Sequence, residues 1–365
     1  METNDLSSPA SAELASFAAQ LHNRRRMKRL SLRALKDAIG GSVSHEMLAR
    51  YERGELVPRE EVKEALCRVL GIYLPGAFRP LEQLQHVQFR CRYKLPQKEQ
   101  DAIIAAATEH FNLYLEAEHR LGDSRLFIPP FAEGELSFDG DTDVMEDVAD
   151  ELRRRWQLGM GPLPNLSYLL ECKGIKIHET DCENMLVDGF SAEHAGQPLI
   201  CLASWLNANV PRKRMTLAHE LGHILFPTLD AEEGSEEEYY IAHFAGAFLV
   251  PRRSFIEAFG DTPRDSVQLG ELIELKRYFG ASIKALMVRA WQLGLVSEEA
   301  HKSFRAFYAK HRYLDKEPGR YDVPDRSERY AALVAKGVLR GCISQEEAVR
   351  HFGVPDCSEM NINVI

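Results

Sequence analysis

No stretch of this chain approaches the about 18 consecutive apolar residues that a membrane-spanning helix needs, which excludes a bundle of spanning helices. Residues 1–20 hold acids and polar groups where a secretory signal would have a basic start and an apolar run, so the expected compartment is the cytoplasm, with no membrane partner. Cysteine is scarce: the seven residues are odd in number, scattered and without a C-x-x-C pair. That spacing argues against a disulfide framework or a cysteine-bound metal and leaves buried thiols as the expected state. Positive charge is short too, and a net charge of −10 does not suit a protein that coats nucleic acid. There is no internal repeat, which excludes a solenoid.

What is present is unevenly placed. A length of 365 residues predicts two or three domains, and 45% hydrophobic residues suffice for ordinary cores. Residues 1–75 carry 12 Lys and Arg against 10 Asp and Glu, a balance of +2 that leaves −12 for the remainder. Arg24, Arg25, Arg26, Lys28, Arg29 and Arg33 crowd together there, at a density that suits phosphate contact or, as the alternative, a solvated basic helix end. Around them the pattern predicts four short helices: 17–27, 31–39 opened by Ser31 and closed by Gly40-Gly41, 44–52, and 60–70. Short helices punctuated in this way describe a helix-turn-helix. Its third helix is the recognition candidate, with Ser44, His45, Glu46 and Arg50 toward a major groove and Val43, Leu48 and Tyr51 toward the core. A four-helix protein-interaction module is the other reading. As a DNA reader the chain is expected to be a homodimer on a short inverted repeat of double-stranded DNA, with Arg24, Arg25 and Arg26 on phosphates.

The most specific feature is His219-Glu220-Leu221-Gly222-His223, a complete H-E-x-x-H inside a helical run. Residues at i and i+4 share one helix face, so the two imidazoles can hold one cation while Glu220, beside them, takes a proton from water. Leu217, Leu221, Ile224 and Leu225 back the helix against a core. The bland alternative is a coincidence in a chain with 13 histidines. A third ligand is sought downstream, where Pro227 ends the helix and a second helix begins with Glu236-Glu237-Glu238. Glu238 is the choice, although Ser235-x-x-Glu238 also satisfies a capping box and Glu236 or Glu237 compete. Two histidines and one glutamate suit Zn²⁺, with Mn²⁺ as the alternative, and keep a coordination position open for catalysis.

Two resemblances arise from these residues. Residues 30–58, through Leu35, Val43-Ser44, Tyr51-Glu52-Arg53-Gly54 and Pro58, resemble the XRE (Cro/CI-type) helix-turn-helix family. Residues 150–315 resemble the ImmA/IrrE-type metallopeptidases, through Trp156-x-Leu158-Gly159, Asp188-Gly189-Phe190-Ser191-Ala192, the run Met215 to His223, and Phe244-Ala245-x-x-Phe248-Leu249-Val250-Pro251. The resemblance implies a zincin-like domain with His219, His223 and Glu238 as ligands and Glu220 as catalytic residue. One departure is that Ile241-Ala242 stands where such proteins often have Ala-Asn, removing a polar neighbour of the metal site.

The expected fold is therefore helix-rich α+β, an all-α helix-turn-helix domain followed by a zincin-like domain with a small sheet and a helical tail. Its divisions are 1–75, a helical connector and linker at 76–143 with a helix at 96–120, the metallopeptidase domain at 144–315, and a separable tail at 316–365. In the third division, helices are expected at 144–158 and 166–172 and strands at 174–178, 189–193 and 198–202. An edge strand in such a fold can hold a peptide by main-chain hydrogen bonds, and Phe190-Ser191-Ala192 is the expected segment. The acidic loop 232–237 is a candidate gate to the site, or a solvated loop. Two functions are carried forward: a DNA-binding regulator whose zinc-dependent peptidase cuts a partner regulator, a repressor or toxin for instance, or itself; and a repressor or antitoxin-like regulator whose zinc fold senses or binds without proteolysis.

Overall fold

A computed structural model of the chain describes residues 9–73, 81–91, 95–136, 141–181, 187–227, 236–314 and 316–355, with side chains omitted at 9–12 and 88–91. Four helices open it: α1 (Pro9–Met27), α2 (Leu32–Ala38), α3 (His45–Glu52) and α4 (Glu60–Leu70). Ser31 and Ser44 cap α2 and α3, each hydroxyl accepting a backbone N–H three residues on, which satisfies a donor the helix leaves unpaired. Phe17, Leu21, Leu35, Leu48, Tyr51, Leu66 and Leu70 share one core. The first helix begins eight residues before its expected start, because Pro9 at its first turn needs no N–H partner and alanines follow.

Strand β1 (Gln85–Cys91) and the long helix α5 (Gln97–Leu121) connect this unit to the rest. Then come α6 (Thr142–Arg155), α7 (Leu166–Cys172), β2 (Lys176–Thr180), β3 (Val187–His194) and β4 (Gln197–Ala203), followed by a 3₁₀ turn at Ser204–Ala208. Helices α8 (Val210–Leu225) and α9 (Glu236–Leu249) carry the H-E-x-x-H run and the acidic triplet. The remainder is helical: α10 (Arg252–Phe259), α11 (Leu269–Phe279), α12 (Ile283–Gln292), α13 (Glu298–Lys310), α14 (Arg329–Leu339) and α15 (Gln345–Arg350).

The sheet has the order β1-β3-β4-β2, with β2 and β4 parallel and the other pairs antiparallel. Ala195 and Gly196, both at positive φ, make the two-residue turn between β3 and β4, a backbone shape that matches the twist of paired strands. One sheet face packs Phe190, Ala192, Leu199 and Cys201 against Ile103, Ala107 and Phe111 of α5. Ile200 and Leu202 belong instead to the large core that contains Leu217 and Leu221 of α8, Phe244 and Phe248 of α9, and Leu286 of α12.

Two expectations change here. Phe190, Ser191 and Ala192 are not on an edge: β1 pairs Gln88 with Ser191, Phe89 with Phe190 and Arg90 with Gly189, so β3 is bonded on both sides and offers no free edge of the kind expected to hold a peptide. An uncovered edge would leave a row of unpaired backbone groups, and β1 removes it. The tail is also not separate. Asp325, fully buried, pairs with the fully buried Arg214 of α8 at 2.9 Å and accepts the backbone N–H groups of Leu166 and Ser167 at the start of α7. Farther on, Leu333, Val334, Ile343 and Phe352 pack on Tyr114 and Leu121 of α5.

Candidate functional site

Asn209 caps α8, and Pro211 in its first turn costs the helix no hydrogen bond, so the run through His223 stays regular. The metal-side face is then brought to α9 by a close helix approach at Gly222. A Cβ there would lie 2.9 Å from Ile241 Cγ2 and 3.2 Å from Phe244 Cδ1, distances that only glycine accepts without movement. Gly222, one of the two unspecified positions of H-E-x-x-H, thereby sets how near Glu238 comes to the histidines.

The result is a cluster of three donors. His219 Nε2 lies 3.1 Å from His223 Nε2 and 3.0 Å from Glu238 Oε1, and His223 Nε2 is 3.6 Å from Glu238 Oε2. All three ligand atoms fall within 4.8 Å of one another, and no other such group occurs among the described residues. His219 and Glu220 are buried, while His223 and Glu238 keep a small exposed fraction. Two imidazoles and one carboxylate, converging from two helices with part of the cluster open, form a donor set that fits Zn²⁺ or Mn²⁺. Of the competing glutamates, Glu236 accepts a hydrogen bond from Tyr240 at 2.9 Å, and neither it nor Glu237 joins the donors. Ser235 and loop positions 232–235 lie outside the described residues, so the capping box and most of the expected gate do too.

Behind α9 is a charged cluster that sequence reasoning missed. His243 Nε2 meets Glu146 Oε1 of α6 at 2.7 Å, and Arg289 of α12 pairs with both oxygens of the same carboxylate. Burial opposes ionisation of Glu146, yet the hydrogen bonds from Arg289 and His243 outweigh it and hold the carboxyl down to about 2. Arg289 also donates to the Val250 carbonyl at 2.9 Å, so one side chain fastens α9, α6 and α12 together. Single polar residues within apolar helical runs, His243 and Arg289, were the available signal.

The expected nucleic-acid contacts are distributed differently. Glu46 and Arg50 are exposed and His45 half-buried on α3, with His45 and Glu46 3.1 Å apart and Arg50 3.2 Å from Glu55. Ser44 is used as the helix cap. Arg24 pairs with Glu109 of α5 at 2.7 Å, Arg26 with Asp101 of α5, and Arg25 grips Glu52 of α3 through two bonds of 2.5 and 2.8 Å. Arg29 adds Glu99 at 2.8 Å. The correction has a simple origin: α5 presents Glu99, Asp101 and Glu109 to the end of α1, and close carboxylates hold guanidinium groups that were expected to face phosphates.

Residues 170–290 match the IrrE N-terminal-like domain, a peptidase family, and residues 16–76 match a helix-turn-helix domain. No curated protein and no solved structure matches the chain.

Proposed function

Because the chain joins a helix-turn-helix domain to an IrrE N-terminal-like domain, we propose that it is a DNA-binding regulator whose second domain hydrolyses a peptide bond in a partner regulator or in itself. The observation that carries this reading is the convergence of His219 and His223 of α8 with Glu238 of α9 within 4.8 Å, next to Glu220 on α8. These three residues would hold the ion, with zinc favoured by the donor set and manganese compatible with it. When bound, such an ion supplies Lewis acidity toward a water and a peptide carbonyl. The chain's own part is proton handling: Glu220, buried beside the ligands, is placed to accept a proton from the attacking water and pass it to the departing amine. On the DNA side, the exposed face of α3 with His45, Glu46 and Arg50 is the proposed reader, in a homodimer that spans two half-sites.

A second reading keeps the same ion but no cleavage, with the metal domain as a sensor or protein-binding surface. The covered side of β3 favours it, since the expected docking edge for a peptide is already paired. Purified protein should hold about one divalent ion per chain, with the ion lost in His219→Ala, His223→Ala and Glu238→Ala and kept in Glu220→Gln. Mass spectrometry of candidate repressors and toxins mixed with the metal-loaded protein separates the two readings. A fragment that forms with wild type and not with Glu220→Gln supports the peptidase. Metal binding by wild type with no cut in any partner or in the chain itself supports the sensor.

A further inference from the structure

A cavity of about 390 Å³ lies between α8, α9, α12 and the chain that follows α13. It touches Thr216, one turn before His219 on the same face of α8, and Ala242, one turn after Glu238 on α9. The cavity thus reaches to within one helical turn of His219 and of Glu238. Its walls include Met215, Val288 and Tyr313; of the charged groups at its border Arg212, Asp188 and Glu317 are held in ion pairs, and the exposed Lys284 lines it too. Arg212 meets Asp188 at 2.7 Å, while Glu317 takes Lys276 at 3.0 Å and the Tyr308 hydroxyl at 2.6 Å. A cationic guest would have to enter without a free counter-ion, since the lining carboxylates Asp188 and Glu317 are already paired, whereas an apolar one would only displace water.

Gly246 gives the second argument. It lies within α9, where glycine destabilises a helix relative to alanine. Unlike Gly222, it has no packing reason to be glycine: the nearest atom to an added Cβ is Gln292 Oε1 at 3.9 Å, and its φ is not in the left-handed region. What its missing side chain leaves open is this cavity, which it lines. The outer wall has a further property. Tyr308, Tyr313 and Leu314 belong to α13 and the turn after it, beyond residues 170–290 that match the peptidase family.

We propose that this cavity is the specificity pocket of the peptidase site, accepting a large apolar or aromatic side chain next to the scissile bond, and that the chain's own segment 308–314 completes it. The proposal rests on the peptidase reading, but its test does not need cleavage. The probes are N-acetyl amides of phenylalanine, leucine, alanine, aspartate and lysine, added to the metal-loaded full-length protein while the Met215 methyl resonance is followed by NMR. Phenylalanine and leucine amides should shift Met215 with at least about tenfold higher affinity than the alanine amide, a discrimination typical of apolar pockets. The aspartate and lysine amides should not reach saturation. Gly246→Leu fills the pocket from α9 and should erase the preference while metal content stays at the wild-type level. Val288→Phe fills it from α12 and provides the same reading should the first variant fold poorly. Tyr313→Ala should reduce the preference without altering metal content. Equal affinity for all five amides in wild type, or an unchanged preference in both filled variants, overturns the pocket. Absence of any cut partner with the preference intact instead overturns the peptidase reading and leaves an apolar binding pocket.

Discussion

His178 of β2, half-buried beside a cavity, bears on the stability of the whole fold. Its ring stacks on His110 of α5 at 4.4 Å between centroids, and Tyr330 of α14 lies 4.6 Å from His110. The two rings line a cavity with Glu179 and Asp325, whose carboxylates are engaged by Lys213 and Arg214. Burial lowers the His178 pKa to about 4, and burial with the neighbouring His178 takes His110 well below its ordinary value. Both imidazoles are therefore neutral in the fold and protonate more readily in the unfolded chain. Their stabilisation is complete above the unfolded value of about 6.5 and is lost as pH falls from there toward the folded value. Glu146, with its carboxyl held near 2, keeps its full stabilisation above about 4.5 and loses it only as pH falls below that value, so its window lies below most of the histidines'. Urea midpoints should drop between about pH 6.5 and pH 5 in wild type. The drop should be smaller in His178→Asn, and an equal drop would assign the acid sensitivity elsewhere.

Between residues and the whole lies the helix pair α8 and α9, where two glycines make opposite predictions. Gly222→Ala gains helix propensity of about 1 kcal/mol, but its Cβ must displace Ile241 or Phe244, and overpacking of this kind costs about 1–3 kcal/mol. A net destabilisation on the order of 1 kcal/mol is expected by urea denaturation, together with weaker metal binding, since α9 carries Glu238. Gly246→Ala meets no atom closer than 3.9 Å and should stabilise by about 0.5–1 kcal/mol with metal affinity unchanged. At this scale much was legible beforehand. Helix α4 and helix α7 coincide with their expected bounds, and α2, α3 and α8 follow caps and breakers that the sequence spells out. Two of the three donors were legible too, because helical spacing alone puts His219 and His223 on one face, whereas Glu238 stood beside Glu236 and Glu237 as competitors. Strand β1 was not seen. Its Val87, Phe89 and Cys91 alternate, but Gln85, His86, Gln88 and Arg90 dilute the apolar signal, and its pairing with β3 bridges about a hundred residues that local pattern cannot reach. Nor was the Gly222 contact, which depends on two helices meeting and not on either one alone.

For the whole molecule, the open question is how the DNA-binding unit is tied to the rest, and the basic cluster answers part of it. Arg24, Arg26 and Arg29 are paired with Glu109, Asp101 and Glu99 of α5, and Asn23 donates to the Ala105 carbonyl at 3.0 Å, so α1 is fastened along α5. Arg25 is different: it is paired within the helix-turn-helix itself, to Glu52. Guanidinium groups held by carboxylates have no condensed counterions of DNA to release, so they add little to the salt dependence of binding. Replacing Arg24, Arg26 and Arg29 by alanine should therefore leave the slope of log affinity against log salt nearly unchanged, while loosening α1 from α5 as seen by faster amide exchange in both helices. The complementary variant, Glu99→Gln, Asp101→Asn and Glu109→Gln together, frees the three arginines for phosphate. Its salt slope should steepen by about 0.9 for each phosphate gained, so by up to about 3. These measurements use one duplex and a series of salt concentrations. A steeper slope after the carboxylate changes would mean that α5 and DNA compete for the same arginines, and that docking of the two halves and binding of DNA oppose each other through them. An unchanged slope in the carboxylate variant would place the cluster away from the duplex altogether, leaving α3 with His45, Glu46 and Arg50 as the whole of the proposed contact.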